Sequence, residues 1–257
     1  MRNYVVFFAG GQGSRISSHL SSLPKGLRLI DNRPLIWHVL TAIKSKYPMT
    51  FVICTGYLEK EYFDYFNKNF ELIEPTVNHD SKLIRAYKSN GNEIILLPTG
   101  EYTPTGIRLK MASDFLNKNN VIYTYGDTIM DIDIDRLNTY HSRSNNLITI
   151  SCCEYAFDYG LLEVKKEKVK NFHEKKLPQN LKINAGFIVM SNKAINQLPK
   201  KLKNIDSKFF KKFINKNKVG YFMHTGCWYP VDYEYQQQIL DEKFKQNKPN
   251  WYKHDYY

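Results

Sequence analysis

The sequence predicts an α/β fold, a single domain with a mixed, mainly parallel central sheet and helices on both faces. Two observations lead to this prediction. Short apolar runs alternate with amphipathic stretches over residues 1–150, as they do when crossover helices connect parallel strands. The first runs are continuously apolar and rich in β-branched and aromatic residues, which is typical of strands covered on both faces.

The elements follow from these patterns in chain order. Strands are expected at residues 4–9, 50–55, 93–97, 121–125 and 147–153. Helices are expected between them at 34–40, where Pro34 suits a first turn, and at 59–70, 108–116 and 135–141. Beyond residue 153 we expect a hairpin (159–164 and 169–172), a strand at 183–190, and helices at 208–215 and 235–244. With no repeat or linker dividing the chain, residues 1–257 are predicted to form one domain.

The charge balance favours anionic ligands. Lys and Arg number 37 against 25 Asp and Glu, a formal net charge of +12, and such a field attracts nucleotides, phosphorylated metabolites or nucleic acid. Much of the excess lies in residues 165–176 and 200–218, on amphipathic patterns typical of solvated faces. No nucleic-acid-binding motif accompanies it, so we expect no nucleic-acid partner.

The cysteines and the apolar run near the N-terminus indicate the cellular compartment of the protein. Cys54, Cys152, Cys153 and Cys227 form no C-x-x-C pair and are predicted to be free thiols in a reducing compartment. The apolar run 4–9 is short for a secretory signal and leads into a glycine loop. No segment approaches the length of a membrane span. A cytoplasmic protein without a membrane partner is therefore expected.

A glycine-rich loop follows the first predicted strand: Gly10-Gly11-Gln12-Gly13-Ser14-Arg15. Glycines allow backbone amides to approach phosphate oxygens closely, and Arg15 adds a permanent planar cation. The loop is neither a P-loop nor a dinucleotide fingerprint, because the Walker lysine is missing and Ile16 stands where a third glycine belongs. Phosphate binding and a simple turn both remain open from the loop alone.

Three further residues have two interpretations each. Asp127 ends a predicted strand and could hold a hard cation through oxygen or cap the following turn. Asp232 has the same two alternatives before the last helix. Lys25, in Leu23-Pro24-Lys25-Gly26, is on its own one surface lysine among many.

Taken together, these residues resemble the sugar-nucleotide pyrophosphorylases, and within them the glucose-1-phosphate cytidylyltransferases. The resemblance covers nearly the whole chain. Its further stretches are Thr55-Gly56-Tyr57, Thr105-Gly106-Ile107-Arg108-Leu109-Lys110, Tyr125-Gly126-Asp127, Phe172-His173-Glu174-Lys175, Asn184-Ala185-Gly186-Phe187, Gly226-Cys227-Trp228-Tyr229-Pro230-Val231-Asp232 and Pro249-Asn250-Trp251. It implies a Rossmann-like nucleotidyltransferase domain with a nucleotide-binding half (1–150) and a C-terminal acceptor-side extension (151–257).

The resemblance also implies roles. The expected substrates are CTP and a small phosphorylated acceptor, with Mg²⁺ held by Asp127 and Asp232. Lys25 and Arg15 would be the catalytic cations. The nucleotide would be bound by Ala9, Gly10, Gly11, Gly13, Arg15, Gly106, Arg108, Tyr125 and Gly126, with Gly106 and Arg108 near the cytosine. The acceptor would be bound by Lys175, Glu174, Asn184 and Asp158.

The chain departs from the family pattern mainly where that family contacts its sugar. Lys176 replaces the proline of Glu-Lys-Pro, Ala185 replaces a glycine, and residues 155–158 replace a Pro-Pro-Gly-Arg stretch. Further changes near the first loop are Ser18, His19 and the pair Leu23-Pro24. The phosphate-handling residues are kept, which suggests a different acceptor that is still phosphorylated.

We therefore expect an enzyme similar to the phosphoglutamine cytidylyltransferases of capsular phosphoramidate biosynthesis, which make CDP-L-glutamine. Asp158 or Glu174 could pair with the amino group that a sugar lacks. Glucose 1-phosphate is the first alternative acceptor, and another phosphorylated alcohol is the next. A non-catalytic nucleotide-binding module is the alternative of another class. Residues 79–92 occupy the place of a family assembly segment, and the aromatic tail 250–257 could pack or assemble, so a homo-oligomer is also an expectation.

Overall fold

The computed structural model describes residues 2–11, 23–77, 84–154, 161–165, 167–174, 181–198, 205 and 207–253. The strands are β1 (Asn3–Phe8), β2 (Leu29–Ile30), β3 (Arg33–Pro34), β4 (Met49–Thr55), β5 (Glu71–Ile73), β6 (Arg85–Ser89), β7 (Asn92–Pro98), β8 (Asn120–Tyr125), β9 (Thr128–Met130), β10 (Ile148–Cys153), β11 (Leu161–Lys165), β12 (Lys168–His173), β13 (Ile183–Ser191), β14 (Val219–Met223) and β15 (Trp228–Pro230). The helices are α1 (Leu35–Ala42), α2 (Glu59–Asn69), α3 (Thr105–Leu116), α4 (Ile134–Arg143), α5 (Asn192–Ile195), α6 (Ser207–Ile214) and α7 (Glu234–Gln246), and 3₁₀ turns span Lys25–Leu27 and Asn250–Lys253.

The central sheet is mixed, as predicted. Within the described residues its strand order is β14-β10-β13-β8-β1-β4-β7-β6-β5. The middle strands β8, β1, β4 and β7 pair in parallel. Antiparallel strands lie on both sides of this unit: β13 pairs antiparallel to β8 and β10, and β6 to β7 and β5. At one edge β14 joins β10 in parallel.

Successive side chains of the middle strands enter two separate core layers. In β1, Val5 and Phe7 pack in the layer that holds side chains of α1, α2, α4 and α7. Val6 and Phe8 pack in the opposite layer, with side chains of α3, α5 and α6. A strand alternates its side chains between its two faces, so burial on both faces requires the continuously apolar sequence from which β1 was predicted.

Several elements differ from the sequence-based expectation. The edge strands β5 and β14, the strand β6 next to β5 and the short β9–β15 ribbon were not predicted. β6 mixes polar and apolar residues, and β5, β14 and β15 are short and exposed or half-buried. β9 is buried but has only three residues. None of these strands carries the signal of a long, fully buried run. The expected helix at 108–116 begins earlier, at Thr105, because Pro104 precedes it in extended conformation with φ −64° and ψ 152°.

The carboxyl ends of the parallel strands meet at one edge of the sheet. Phe8 lies opposite Cys54 and Tyr125 in the registers of β1 with β4 and β8, and Thr55 lies opposite Pro98. Ligands of open α/β sheets bind beyond such an edge. The loops that leave these strands carry the predicted glycine loop and Asp127, so topology brings both to the same place.

The cysteines agree with the prediction of free thiols. All four are unpaired, with Cys54, Cys152 and Cys153 buried and Cys227 half-buried. Burial raises the pKa of the Cys54 thiol to about 12. A separate observation concerns membranes: none of the helices in the described ranges has the length and apolar character needed to cross a bilayer.

Candidate functional site

A cavity of about 550 Å³ opens at the carboxyl edge of the parallel strands. Its wall includes Gly10 and Gly11 after β1, Tyr125 at the end of β8, Asp127 after that strand, and residues 101–105, which lead into α3. Backbone hydrogen bonds fix the edge itself: Gly126 N donates to Phe8 O (3.3 Å), and Tyr57 N donates to Gly10 O (3.1 Å). The size is that of a small-molecule site.

Beside this cavity, Lys25 contacts both predicted metal-binding carboxylates. Its Nζ lies 2.6 Å from Asp127 Oδ2 and 3.4 Å from Asp232 Oδ1. The three residues are far apart in sequence, and their side chains are 15%, 29% and 41% exposed, in the order Lys25, Asp127, Asp232. Lys25 is therefore paired with two carboxylates beside the cavity, and the alternative of an isolated surface lysine is excluded.

Local structure presents Lys25 to the carboxylates. The 3₁₀ turn Lys25–Leu27 follows Pro24, which is extended at φ −64° and ψ 152°. The fully buried Tyr62 of α2 packs below the turn, and its hydroxyl hydrogen-bonds the backbone of Gly26. Burial raises the pKa of this phenol well above its usual value, so Tyr62 is a neutral support. The sequence predicted a helix over residues 59–70 but did not indicate that Tyr62 contacts Gly26.

Asp232 reaches the site on the β9–β15 ribbon. Trp228, Tyr229 and Pro230 pair antiparallel with Met130, Ile129 and Thr128, and Val231 N donates to Asp127 O (2.9 Å). The backbone N–H of Asp232 donates to the side chain of Gln236 in α7 (2.6 Å). The carboxylate itself faces Lys25, so the alternative of a helix cap does not describe its observed contact.

These two carboxylates fit the chemistry of a hard divalent cation. Mg²⁺ is commonly held by one or two carboxylates together with substrate phosphates. Among the described residues no group of three or more His, Cys, Asp or Glu side chains is arranged to hold a metal. A metal ion at Asp127 and Asp232 would therefore need ligand or water oxygens to complete its coordination.

Arg108 is a buried cation whose observed partners are all neutral oxygen atoms. Its side chain lies in α3, and the residue is only 3% exposed. Its N–H groups contact six acceptors: the carbonyls of Gly10, Thr55, Gly100, Glu101 and Thr103 and the hydroxyl of Thr99. A Cβ at Gly10 would overlap the guanidinium. Arg108 thus joins the glycine loop to the ends of β4 and β7, and its predicted place near a base stays a prediction.

The other predicted nucleotide-binding residues lie around the same edge. Ala9 N donates to Cys54 O (3.1 Å), which continues β1 toward the glycine loop. Gly106 is buried in the first turn of α3. Tyr125 is partly buried, and burial followed by the charge of Asp127 raises its pKa. Gly13 and Arg15 lie outside the described residues.

The predicted acceptor residues are described only in part. Asn184 is the second residue of β13, and its Oδ1 accepts from Gly186 N (3.0 Å). Trp228 Nε1 donates to Ala185 O (3.0 Å), which ties this part of β13 to the ribbon that carries Asp232. Glu174 is exposed after β12. Lys175 and Asp158 lie outside the described residues, and the acceptor roles stay predictions.

Sequence comparison finds relatives over almost the whole chain. A family model described as Nucleotidyl transferase matches residues 4–231. The chain is 26% identical over 255 residues to glucose-1-phosphate cytidylyltransferase of Salmonella typhimurium, covering 96% of this chain and 97% of that protein. It is 24% identical to D-glycero-alpha-D-manno-heptose 1-phosphate guanylyltransferase of Aneurinibacillus thermoaerophilus, covering 91% and 97%.

Structure comparison finds the same fold. The crystal structure of HddC from Yersinia pseudotuberculosis complexed with GMP-PN superposes with a TM-score of 0.66 at 20% identity, covering 94% of this chain and 99% of that one. The match supports the α/β architecture and its mixed sheet.

Proposed function

Because this chain belongs to the nucleotidyl transferase family, we propose that it transfers CMP from CTP to a small phosphorylated acceptor and releases pyrophosphate. The observation that carries the chemistry is Lys25 Nζ at 2.6 Å from Asp127 and 3.4 Å from Asp232, beside the cavity at the carboxyl edge of the sheet. The choice of CTP is supported by the glucose-1-phosphate cytidylyltransferase among the relatives.

In the proposed reaction an acceptor phosphate oxygen attacks the α-phosphorus of CTP. A P–O bond forms there, and the bond to the β-phosphate breaks with its electron pair leaving on pyrophosphate. The attacking oxygen is already an anion, so the barrier comes from repulsion between anions and from charge building on the leaving group. Fixed cations and in-line positioning supply catalysis of this kind.

The residues have distinct proposed roles. Lys25 neutralises charge at the reacting phosphorus, and Arg15 neutralises the departing phosphates. The backbone of Gly10, Gly11 and Gly13 approaches the phosphate oxygens. Asp127 and Asp232 would hold Mg²⁺, which would neutralise charge on the nucleotide phosphates when bound.

For the acceptor we propose L-glutamine phosphate, which would give CDP-L-glutamine for modification of a capsular polysaccharide. The support is the set of departures at Asp158, Lys176 and Ala185, because a changed acceptor pocket beside a retained phosphate site indicates a changed acceptor. Glucose 1-phosphate, giving CDP-glucose, is the second candidate, and the Salmonella relative favours it.

The test is pyrophosphate release by purified protein supplied with Mg²⁺, one nucleoside triphosphate and one acceptor. We expect turnover with CTP and L-glutamine phosphate, and its loss on chelation of the metal. Hydrolysis of the phosphorylated acceptor yields phosphate, so following pyrophosphate avoids that background. Lys25→Ala should lower kcat about 10²- to 10³-fold, the usual size of a lost electrostatic contact in a transition state.

Lys110→Ala is the matched control, because Lys110 is an exposed lysine of α3 paired with Asp114. It should keep wild-type kcat. Turnover with glucose 1-phosphate alone would replace the proposed acceptor. Turnover with another triphosphate in preference to CTP would refute the cytidylyl assignment, and a Lys25→Ala variant at wild-type rate would refute the role of Lys25.

A further inference from the structure

The spacing of Asp127 and Asp232 depends on the β9–β15 ribbon. Asp127 precedes β9 and Asp232 follows β15, so both carboxylates lie at the same end of an antiparallel pair. The bond from Val231 N to Asp127 O (2.9 Å) extends the pairing at that end. Any change in the register of this short ribbon would move one carboxylate relative to the other.

The opposite end of the ribbon is closed by Asp131, which follows β9. Its Oδ1 accepts from Cys227 N (2.6 Å), and its own N–H donates to Cys227 O (3.4 Å). The same carboxylate oxygen lies 3.2 Å from His224 Nε2, and Oδ2 accepts from Lys44 Nζ (2.7 Å). The side chain of Asp131 therefore connects the β9–β15 ribbon to His224, which precedes β15 in the chain, and to Lys44, which follows α1.

The contact between Asp131 and residues 224–227 is closely packed and involves a charged carboxylate. A Cβ at Gly226 would overlap Asp131 Oδ1 and approach His224 Cε1 to 2.9 Å, so only glycine fits there. Burial works to raise the pKa of the Asp131 carboxyl, but the hydrogen bond from His224 and the contacts with Lys44 and Cys227 N hold it at about 2. The group is an anion at neutral pH, and its side chain is 17% exposed.

Lys44 connects Asp131 to the segment that follows α1. Its backbone N–H donates to Ile132 O (2.8 Å), and its carbonyl accepts from Ile134 N (2.9 Å), so the residue pairs with the chain just after Asp131. The lysine side chain itself is 61% exposed. It can be changed with little disturbance of the core.

We propose that Asp131 is a positioning residue that sets the distance between Asp127 and Asp232 by fixing the register of the β9–β15 ribbon. This inference rests on the proposed role of those two carboxylates in holding a divalent cation. Asp131 contacts the far end of the ribbon, so it acts through main-chain geometry. Groups that orient metal ligands commonly change metal affinity 10- to 100-fold when removed.

The test measures metal binding separately from turnover. Mn²⁺ binding in the presence of CTP, without acceptor, is followed by electron paramagnetic resonance, and the acceptor KM is measured in parallel with Mg²⁺. Asp131→Asn keeps an acceptor for Cys227 N but loses the charge, and we expect Mn²⁺ affinity to fall about 3- to 10-fold. Asp131→Ala removes both the charge and the hydrogen-bond acceptor and should lower Mn²⁺ affinity about 10- to 100-fold. The KM for the acceptor substrate should change less than about 3-fold.

Two further variants complete the design. Lys44→Met removes only the exposed cation and should weaken Mn²⁺ binding about 2- to 5-fold, which keeps the test informative if Asp131→Ala does not fold. Asp114→Asn on α3, an exposed carboxylate paired with Lys110, should leave binding unchanged.

Failure of the proposed metal role and failure of the inference about Asp131 give different results. If wild-type protein with CTP binds no Mn²⁺, the proposed metal role fails and the inference fails with it. If wild-type protein binds Mn²⁺ and folded Asp131→Asn and Lys44→Met match its affinity, the inference alone is overturned. A loss of thermal stability in these variants without a change in Mn²⁺ affinity would indicate a purely structural contact and would also overturn it.

Discussion

Arg108 shows how one side chain can build a cavity wall. Its guanidinium is surrounded by backbone carbonyls from two loops and from the last residue of β4 at the carboxyl edge of the sheet. Burial lowers its pKa, but arginine stays charged in proteins. Hydrogen bonds to these carbonyls and the nearby charge of Glu59 stabilise the cation, so Arg108 holds the segments around the candidate nucleotide site together.

We predict that Arg108→Gln lowers the free energy of unfolding by about 3 kcal/mol, because several buried carbonyls lose a donor. We also expect the KM for CTP to rise about 10-fold or more while discrimination between CTP and UTP stays the same. Denaturant unfolding and steady-state kinetics with both triphosphates measure these effects. A lysine ammonium cannot reproduce the planar guanidinium and its several N–H donors. Arg108→Lys should therefore recover little of the lost stability or CTP affinity.

Arg136→Gln, at an exposed position of α4, is the control and should match wild type. If Arg108→Gln kept its stability but lost discrimination between the two triphosphates, direct contact with the base would be the better account of Arg108.

At the scale of elements, the 3₁₀ turn Asn250–Lys253 closes over α1. Trp251 is 6% exposed in the core, and its Nε1 donates to Nδ1 of the fully buried His38 (3.4 Å). Nε2 of His38 donates to Ile30 O (2.9 Å). Tyr252 adds a hydrogen bond to Asp31 (2.6 Å). These contacts require a neutral imidazole with its proton on Nε2, and they attach the end of the described chain to α1 and the β2–β3 hairpin.

This arrangement predicts a loss of stability in acid. Burial lowers the pKa of His38 from 6.5 to about 4. Because its folded-state pKa lies below the unfolded value, its contribution is complete above about pH 6.5 and is lost as the pH falls toward 4. The loss should be on the order of 3 kcal/mol, as a proton on Nδ1 would face the indole N–H.

The measurement is the free energy of unfolding against pH for wild-type protein and for His38→Gln. The excess in the free energy of unfolding of wild type over His38→Gln should shrink or reverse as the pH falls from 6.5 to 4. His141, whose pKa is also lowered by burial, is present in both proteins and cancels. Two parallel curves over this range would contradict the prediction.

The whole molecule carries a net charge of +12, although Lys25 faces two carboxylates in the candidate site. An anionic substrate is therefore attracted by the summed field of many lysines as well as by local contacts. Salt screens such a field beyond about 8–10 Å at physiological ionic strength. The local contacts are screened much less.

We predict that the KM for CTP rises about 3- to 10-fold between roughly 0.05 M and 0.5 M potassium chloride, while kcat changes less than about 2-fold. Free Mg²⁺ is held constant throughout. A variant with Lys211→Gln and Lys212→Gln on exposed positions of α6 should show a slightly weaker dependence. A KM that does not respond to salt would mean that local contacts alone capture the nucleotide.

The sequence by itself determined the parts that local patterns encode. Continuous apolar runs predicted β1, β4, β7 and β8, since a strand buried on both faces has no polar face. The positions of Gly10 and Asp127 after such strands predicted that they share an edge, because parallel strands have a common carboxyl edge. The free cysteines followed from their spacing.

Only the tertiary structure decided which distant segments meet. Asp232 reaches Lys25 across 207 positions of the chain, and the partners of Arg108 and Asp131 come from separate loops. Half-exposed strands such as β5, β6 and β14 also became visible only in the fold. Their pairing is set by the packing of the whole sheet, whereas a local pattern records only which faces of its own segment are buried.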